Sequence, residues 1–182
     1  MINVQIIPEL RAIETGFQKF VEDFISQADL SVKKMADEFK IELILNITGQ
    51  KFAGAFPPLS NYWENWKAEH GRPQDFWINY GYLYNAFGVT KTTGGYSVGI
   101  DENILPEQSS SFKMDRRTPI WKYLFYNEFG RGAFSKGKVS VGPQPARPVV
   151  NPTRENVYSG FWNEKIKEDF QQKISEKFKG IF

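Results

Sequence analysis

Apolar residues recur at three- and four-residue steps through the first quarter of the chain, with charged and polar residues between them. This spacing places the apolar side chains on one side of a helix. The pattern predicts one long amphipathic helix after Pro8, or two helices that break near Asp29–Ser31, with Gly49 as the C-terminal cap. Residues 2–6 alternate between apolar and polar side chains, as a short strand does. The apolar positions of the predicted helix are Leu10, Ile13, Phe17, Phe20, Val21, Phe24, Ala28, Val32, Met35, Phe39 and Leu43.

Two strands are predicted in the middle of the chain. Residues 79–90 and 96–101 carry the β-branched and aromatic residues that suit a half-buried sheet, and residues 92–95 are turn-forming. Tyr96, Val98 and Ile100 alternate with small residues, which indicates one buried face. A polar loop is expected after them, over residues 102–115.

Two further helices are predicted in the last third of the chain. A short one starts at Thr118-Pro119 and ends at Gly130, and a longer one runs from Pro152 to Lys179 with Asn151 as its N-cap. The order of elements predicts an α+β fold, in which a long N-terminal helix and a C-terminal helix pack on an antiparallel β-sheet. The inner face of the last helix is predicted to carry Val157, Phe161, Ile166, Phe170, Ile174 and Phe178.

Residues 50–79 form an aromatic-rich insertion with a short predicted helix over residues 60–70. Exposed Trp63 and Trp66 would suit a stacking platform for carbohydrate or nucleic acid, or an interface hot spot. The alternative is an arm whose rings seal one edge of the core. The aromatic residues in question are Phe52, Phe56, Tyr62, Trp63, Trp66, Phe76 and Trp77.

A basic segment lies between the last two predicted helices. Glycine at 130 and 132 breaks the preceding aromatic pattern, and residues 131–142 are predicted to form a mobile basic hairpin arm that includes a strand at 138–141. Its basic residues would face an anionic partner, or would simply be solvated. The formal charges from residue 130 to residue 154 are all positive: Arg131, Lys136, Lys138, Arg147 and Arg154.

Length and composition indicate one folded domain over residues 1–182. The chain is 41% hydrophobic and 16% aromatic, and it has no cysteine, which excludes disulfides and thiolate metal sites. No segment approaches the roughly 20 apolar residues of a membrane span. The net charge of +2 is uneven, because residues 1–112 carry 9 basic and 14 acidic residues whereas residues 113–182 carry 14 and 7. Such a dipolar chain suits head-to-tail self-association or an anionic partner, unless the asymmetry is incidental.

The sequence offers no convincing catalytic constellation. His70 is the only histidine, and it lies in a polar loop. Glu64 with Glu69 or Asp75 would be the only carboxylates beside the tryptophans for a glycosidase-type pair, and their spacing does not favour that chemistry. Neither of the glycine pairs, Gly94-Gly95 or Gly130 with Gly132, has the context of a phosphate-binding loop. We therefore predict a protein that is not an enzyme and that has no catalytic residue, no metal site and no cofactor.

Two short motifs near the basic segment resemble those of a known family. Glu128-Phe129-Gly130 closes an aromatic stretch, and Pro145-Ala146-Arg147-Pro148 precedes two apolar residues and the last helix. This pairing resembles the tail-component, or tail-completion, proteins of long-tailed bacteriophages and prophages, and the resemblance covers residues 80–178. Upstream, the family's Gly-x-Leu segment leading into a strand is matched by Gly81 and Leu83.

The resemblance implies a virion structural protein at the head–tail junction, or neck. It implies other phage neck and tail proteins as partners and a homo-oligomer, a hexameric ring if it matches the tail. It also implies non-specific contact with DNA in the lumen, no membrane, and a location in the virion after assembly in the host cytoplasm. The runner-up is a binding module for single-stranded nucleic acid or glycan, and a remote third alternative is a carboxylate-based hydrolase.

A Glu128–Arg147 ion pair is predicted to tie the short helix to the segment before the last helix, or to join neighbouring subunits. Wild-type melting and assembly of an Arg147→Ala variant would exclude it. The candidate interface residues are Glu128, Phe129, Arg131, Lys136, Lys138, Arg147, Trp63 and Trp66.

Overall fold

The computed structural model describes residues 10–77, 82–105, 119–136, 139–158 and 161–178. The predicted strand at residues 2–6 lies outside these ranges. So do the predicted start of the first helix, at Pro8, and that of the short helix, at Thr118. The described residues mix helices and strands, so the α+β prediction is confirmed. In chain order the elements are α1 (Leu10–Thr48), a 3-10 turn (Ala53–Ala55), α2 (Asn61–Glu69), α3 (Tyr82–Asn85), β1 (Phe87–Thr92), β2 (Gly95–Ile100), α4 (Ile120–Phe129), β3 (Phe134–Lys136), β4 (Val139–Val141), α5 (Val150–Tyr158) and α6 (Phe161–Phe178).

The long helix predicted at the N-terminus is one helix. α1 has 39 residues and is unbroken at Asp29–Ser31, which gives it a length of about 58 Å at ~1.5 Å per residue. Gly49, the predicted cap, directly follows the last helical residue, and its amide donates to the Leu45 carbonyl at 2.8 Å. The left-handed conformation belongs to the next residue, Gln50, with φ +53°. The Gln50 side chain then donates to the Phe76 carbonyl oxygen at 3.0 Å and accepts from the Phe76 amide at 2.8 Å. It thereby fixes the far end of the aromatic insertion against the end of α1.

The sheet beneath α1 is a two-stranded antiparallel hairpin. β1 and β2 pair in a register that runs from Phe87 opposite Ile100 to Thr92 opposite Gly95. The strand predicted from residue 79 starts too early, because residues 82–85 form the helical turn α3; residues 78–81 are not described. That turn allows both Leu83 and Phe87 to reach the core. Period-two and helical patterns are hard to separate over so few residues.

The core lies mainly between helices. α1 supplies Phe39, Leu43 and Ile47, and the two ends of the α5 region supply Val149 and Val157. A buried hydrogen bond, 2.9 Å from Asn46 Nδ2 to Thr153 Oγ1, joins α1 to α5. The other buried members of this core cluster are Leu83, Phe87 and Ile120.

The C-terminal helix starts two residues earlier than predicted, at Val150 rather than Pro152. Its described parts are α5 and α6, and residues 159–160 between them are outside the described part. α6 packs along α1, where Phe170 meets Phe24 edge to face at 5.3 Å and Asp169 lies 3.5 Å from Lys34. Of the predicted inner face, Val157 is buried and Phe170 and Ile174 are half-buried. The side chains of Phe161, Ile166 and Phe178 are not described.

Candidate functional site

The turn after α4 requires glycine. Gly130 has φ +75° and ψ 178°, a conformation that residues with a Cβ essentially never adopt. A Cβ added there would also lie 2.9 Å from the Gln144 carbonyl oxygen and 3.0 Å from the Ala146 amide nitrogen. The chain of the second motif therefore passes directly against the last residue of the first.

A pair of backbone hydrogen bonds closes the base of the basic hairpin. The Arg131 amide donates to the Gln144 carbonyl at 2.9 Å, and the Gln144 amide donates back at 2.8 Å. Beyond this bridge, β3 and β4 pair antiparallel, with Phe134 opposite Val141. The predicted hairpin is thus confirmed. Lys138 is outside the described residues, as is the side chain of Lys136.

Glu128 caps a helix, α5, that begins 22 residues further along the chain. Its buried carboxylate accepts three backbone N–H groups: Oε2 from Val149 at 2.8 Å and Val150 at 3.0 Å, and Oε1 from Asn151 at 2.9 Å. The next residue, Pro152, has no N–H, and the amide of Thr153 already donates within the helix. Every donor at the start of α5 is therefore satisfied.

The predicted N-cap is wrong for this reason. α5 begins at Val150, so Asn151 lies inside its first turn. A carboxylate brought from α4 takes the role that a capping side chain normally fills, and its charge also opposes the positive end of the helix dipole.

Arg147 anchors the aromatic insertion to the same place. Its amide donates to the Asn127 carbonyl at 2.6 Å, and its Nη2 donates to the carbonyls of Pro57 at 3.4 Å and Pro58 at 3.2 Å. The guanidinium lies 4.9 Å from the centre of the Phe76 ring. In return, Trp77 Nε1 donates to the Arg147 carbonyl at 2.9 Å. Burial lowers the pKa of the Arg147 guanidinium.

The predicted Glu128–Arg147 ion pair is wrong. The ion pairs of the described residues do not include it, because Glu128 is occupied by three amides and Arg147 by two carbonyls. The underlying expectation, that both residues tie the short helix to the chain before the last helix, holds through these separate contacts. We call this assembly of Asn127–Arg131, Gln144–Asn151 and the Pro57-Pro58 carbonyls the motif joint.

A second buried cation lies in the insertion. Lys67 on α2 is buried and donates to the backbone carbonyl of Asp75. Burial lowers the pKa of Lys67, the Asp75 carboxylate partly offsets this, and the positive charge of Arg147 lowers it further.

The outer side of α4 is apolar. Phe129 is 64% exposed and Phe125 is 49% exposed, and their rings lie 4.9 Å apart. Arg131 lies over the Tyr126 ring at 5.6 Å, and Lys122 over the Trp121 ring at 5.6 Å. The predicted interface residue Phe129 is therefore accessible, with basic residues at both ends of the phenylalanine pair.

The aromatic insertion divides into two parts. Phe52 and Trp77 pack against the core, as the sealing interpretation expected. α2 instead presents a row of rings: Tyr62 meets Trp63 at 5.8 Å, Trp63 meets Trp66 at 5.5 Å, and Trp66 stacks on His70 at 4.2 Å. Tyr62 and Trp63 are exposed, at 70% and 42%. Trp63 and Trp66 thus form one ring surface with Tyr62 and His70, whereas Trp77 belongs to the contacts of Arg147.

Sequence reasoning found Glu128, Phe129, Arg131 and Arg147, which the fold brings together around one turn. It did not assign a role to Gln144 or Asn127. The backbone carbonyl of Gln144 accepts a hydrogen bond from the Arg131 amide, and that of Asn127 accepts one from the Arg147 amide. Backbone partners carry no side-chain signal, so only the glycine at 130 pointed to a close approach.

Comparison of the chain with protein-family models, with curated proteins and with solved structures found no match. Within the described ranges, no group of three or more histidine, cysteine, aspartate or glutamate side chains is placed to hold a metal ion. No helix in that part of the chain is both long and apolar enough to cross a membrane.

Proposed function

We propose that this chain is a non-enzymatic structural protein of the head–tail junction of a long-tailed phage, where it completes the tail or connects it to the neck. The observation that carries the proposal is the motif joint. The two motifs that resemble tail-completion proteins are separated by fourteen residues in sequence, yet Glu128, Gly130 and Arg147 act in one packed unit. Because the residues of the two motifs depend on each other, the two motifs together support the resemblance more specifically than either motif does alone.

The joint gives the basic hairpin a fixed base. Residues 131 and 144 are bridged by two backbone hydrogen bonds at that base, so β3 and β4 project from a defined point. Lys136 and Lys138 then lie beyond the bridge in the sequence, where they would meet an adjacent subunit, a neck partner or DNA in the lumen. Lysine contacts to phosphate are sequence-independent and weaken steeply with salt.

The first test is assembly. We would co-express the chain with the products of the flanking genes, isolate tail-like particles, and analyse them by mass spectrometry and negative-stain electron microscopy. We expect the chain in the particles as a ring at the end that joins the head. Deleting its gene should leave tails that fail to join heads. Particles that assemble and infect normally without this chain would refute the proposed function.

The exposed rings of α2 favour one second candidate, a glycan-binding module. Tyr62 and Trp63 offer stacking faces, but α2 also carries the carboxylates of Glu64 and Glu69, which disfavour a phosphate backbone. The test is glycan binding by the wild type and by a Trp63→Ala variant that remains folded. Binding that disappears in the variant would support this candidate, and no binding by the wild type would eliminate it. Salt-sensitive binding of single-stranded DNA would instead support the alternative of a module that binds single-stranded nucleic acid.

A further inference from the structure

An apolar ridge runs along the N-terminal half of α1. Five side chains on about 140° of the helix circumference form it, and each is exposed: Phe17 by 67%, Ile25 by 61%, and the other three by 38–42%. The phenylalanine rings follow one another at 6.3 and 6.4 Å. Phe170 of α6 contacts this ridge at Phe24, edge to face. We call Phe17, Phe20, Val21, Phe24 and Ile25 the α1 ridge.

The area of the ridge is that of an interface. A phenylalanine side chain offers ~200 Å², so the exposed fractions of the three rings leave roughly 300 Å² in water. Val21 and Ile25 bring the apolar total to about 450 Å², within the ~300–600 Å² typical of the largest patch on a monomer and often functional. A stable contact buries ~800 Å² per partner, so the ridge would supply about half of one.

The charges around the ridge are mostly acidic. Glu14 and Glu22 are exposed beside it, Asp23 follows Glu22 directly, and Lys19 is the one cationic residue between positions 14 and 25. The phenylalanine pair on α4 has the opposite surroundings, because Lys122 and Arg131 flank it while the Glu128 carboxylate is buried against three amides. The two surfaces are apolar, aromatic and opposite in charge, which is the complementarity that sets register and orientation in an interface.

We propose that the α1 ridge of one molecule docks on the α4 phenylalanine pair, Phe125 and Phe129, of a second copy of this chain. The proposal rests on the proposed function in its choice of a head-to-tail contact over a symmetric one. A contact between two different surfaces leaves one molecule of each docked pair with a free ridge and the other with a free phenylalanine pair. Such a contact closes into a ring if the rotation between neighbours allows it and otherwise continues as a filament.

The cysteine-free sequence permits a direct test. One batch of full-length chain carries Gln18→Cys, beside the ridge, and a tagged batch carries Gly132→Cys, three residues after Phe129, where an added Cβ meets nothing within 4 Å. After mixing and treatment with a short bis-maleimide, we expect a mixed product of one tagged and one untagged chain. Ser26→Cys is the matched control, because Ser26 is exposed on the opposite side of α1, and it should yield little mixed product.

A second measurement removes the ridge contact without touching the core. Phe17→Ser should weaken self-association measured by sedimentation velocity about tenfold or more, since it removes an apolar ring from the contact. Leu45→Ser, about 30 Å further along the same helix and 57% exposed, should leave self-association unchanged.

The outcomes separate this inference from the proposed function. Predominant Gln18→Cys homodimers would mean symmetric pairing and would overturn the inference. Rings or particles without the mixed cross-link would also overturn the inference. A chain that never self-associates would overturn it too, and both outcomes would leave the head–tail role intact. A mixed cross-link in a protein that is dispensable for tail assembly would sustain the interface and refute the function.

Discussion

Replacing Glu128 with alanine tests whether the motif joint holds the start of α5. The substitution removes the acceptor of three amides, of which Val149 is fully buried and Val150 and Asn151 are half-buried. The backbone of α5 has no substitute for it, because the helix interior uses its own donors only from Thr153 onward. The substitution therefore leaves three backbone amides without an acceptor at positions where water cannot readily replace it.

The cost follows from those burials. A buried donor left without an acceptor costs ~1–3 kcal/mol, so we assign about 2 kcal/mol to Val149 and about 1 kcal/mol to each half-buried amide, or roughly 4 kcal/mol in all. Ordinary domains have about 5–15 kcal/mol of stability. For a chain of this size, each kcal/mol lowers the melting temperature by ~2–4 °C. We expect Glu128→Ala to melt about 8–16 °C below the wild type.

Differential scanning calorimetry measures the melting temperature, and hydrogen exchange locates the damage. Exchange should accelerate at residues 149–151 more than in α1. Glu155→Ala is the control, since Glu155 is an exposed carboxylate on α5, and it should melt within ~1–2 °C of the wild type. Glu128→Gln keeps the shape but turns an N–H toward one amide, so it should fall between the two. A Glu128→Ala protein that melts with the wild type would refute the capping role.

Three further substitutions probe the joint and its surroundings. Gly130→Ala should destabilise by about 2–4 kcal/mol in urea unfolding, because it combines a positive φ with contacts of 2.9 and 3.0 Å to backbone atoms. Thr153→Val should cost about 1–3 kcal/mol in the same assay, because it deprives the buried Asn46 amide of its acceptor. Lys67→Met should change the pH profile: the lowered pKa of Lys67 means that the unfolded chain holds a proton that the folded chain has lost, between the folded pKa and 10.5. In that alkaline window the stability of the wild type should rise relative to Lys67→Met, by up to ~1.4 kcal/mol per pH unit.

Each of these has a result that contradicts it. Gly132→Ala is the control for the glycine, since nothing lies within 4 Å of its added Cβ, and equal losses for the two glycines would remove the steric argument. A Thr153→Val protein as stable as the wild type would show that the hydrogen bond to Asn46 contributes nothing net. For Lys67, parallel pH profiles of the wild type and the methionine variant would exclude a difference in protonation between the folded and unfolded states.

The elements that the sequence predicted best are those with long, regular patterns. α1 continues for 39 residues, long enough for its apolar period to dominate. The β1–β2 hairpin has turn residues at its centre, and α2 lies within a residue of its predicted bounds. α3 was missed because four residues cannot display a period, and because burial of Leu83 satisfies a strand as well as a helix.

The chemistry of the joint was only half predictable. Glu128 and Arg147 were identified as a pair, and opposite charge suggested that they meet. Their actual partners are backbone amides and carbonyls from other segments, which no residue type announces. The N-cap at Asn151 was mistaken for the same reason, since local rules assume that a helix is capped by its own neighbours.

Because of the bridge between Arg131 and Gln144, the stability of the fold should depend little on the length of the hairpin beyond it. The contacts next to the bridge, Gly130 against residues 144–146 and Glu128 against α5, involve no residue of β3 or β4. Lengthening a closed loop is inexpensive, since doubling it costs only about 0.6 kcal/mol of closure entropy. We therefore expect that an epitope or a fluorescent label inserted between β3 and β4 would leave the capped helix and the core as they are.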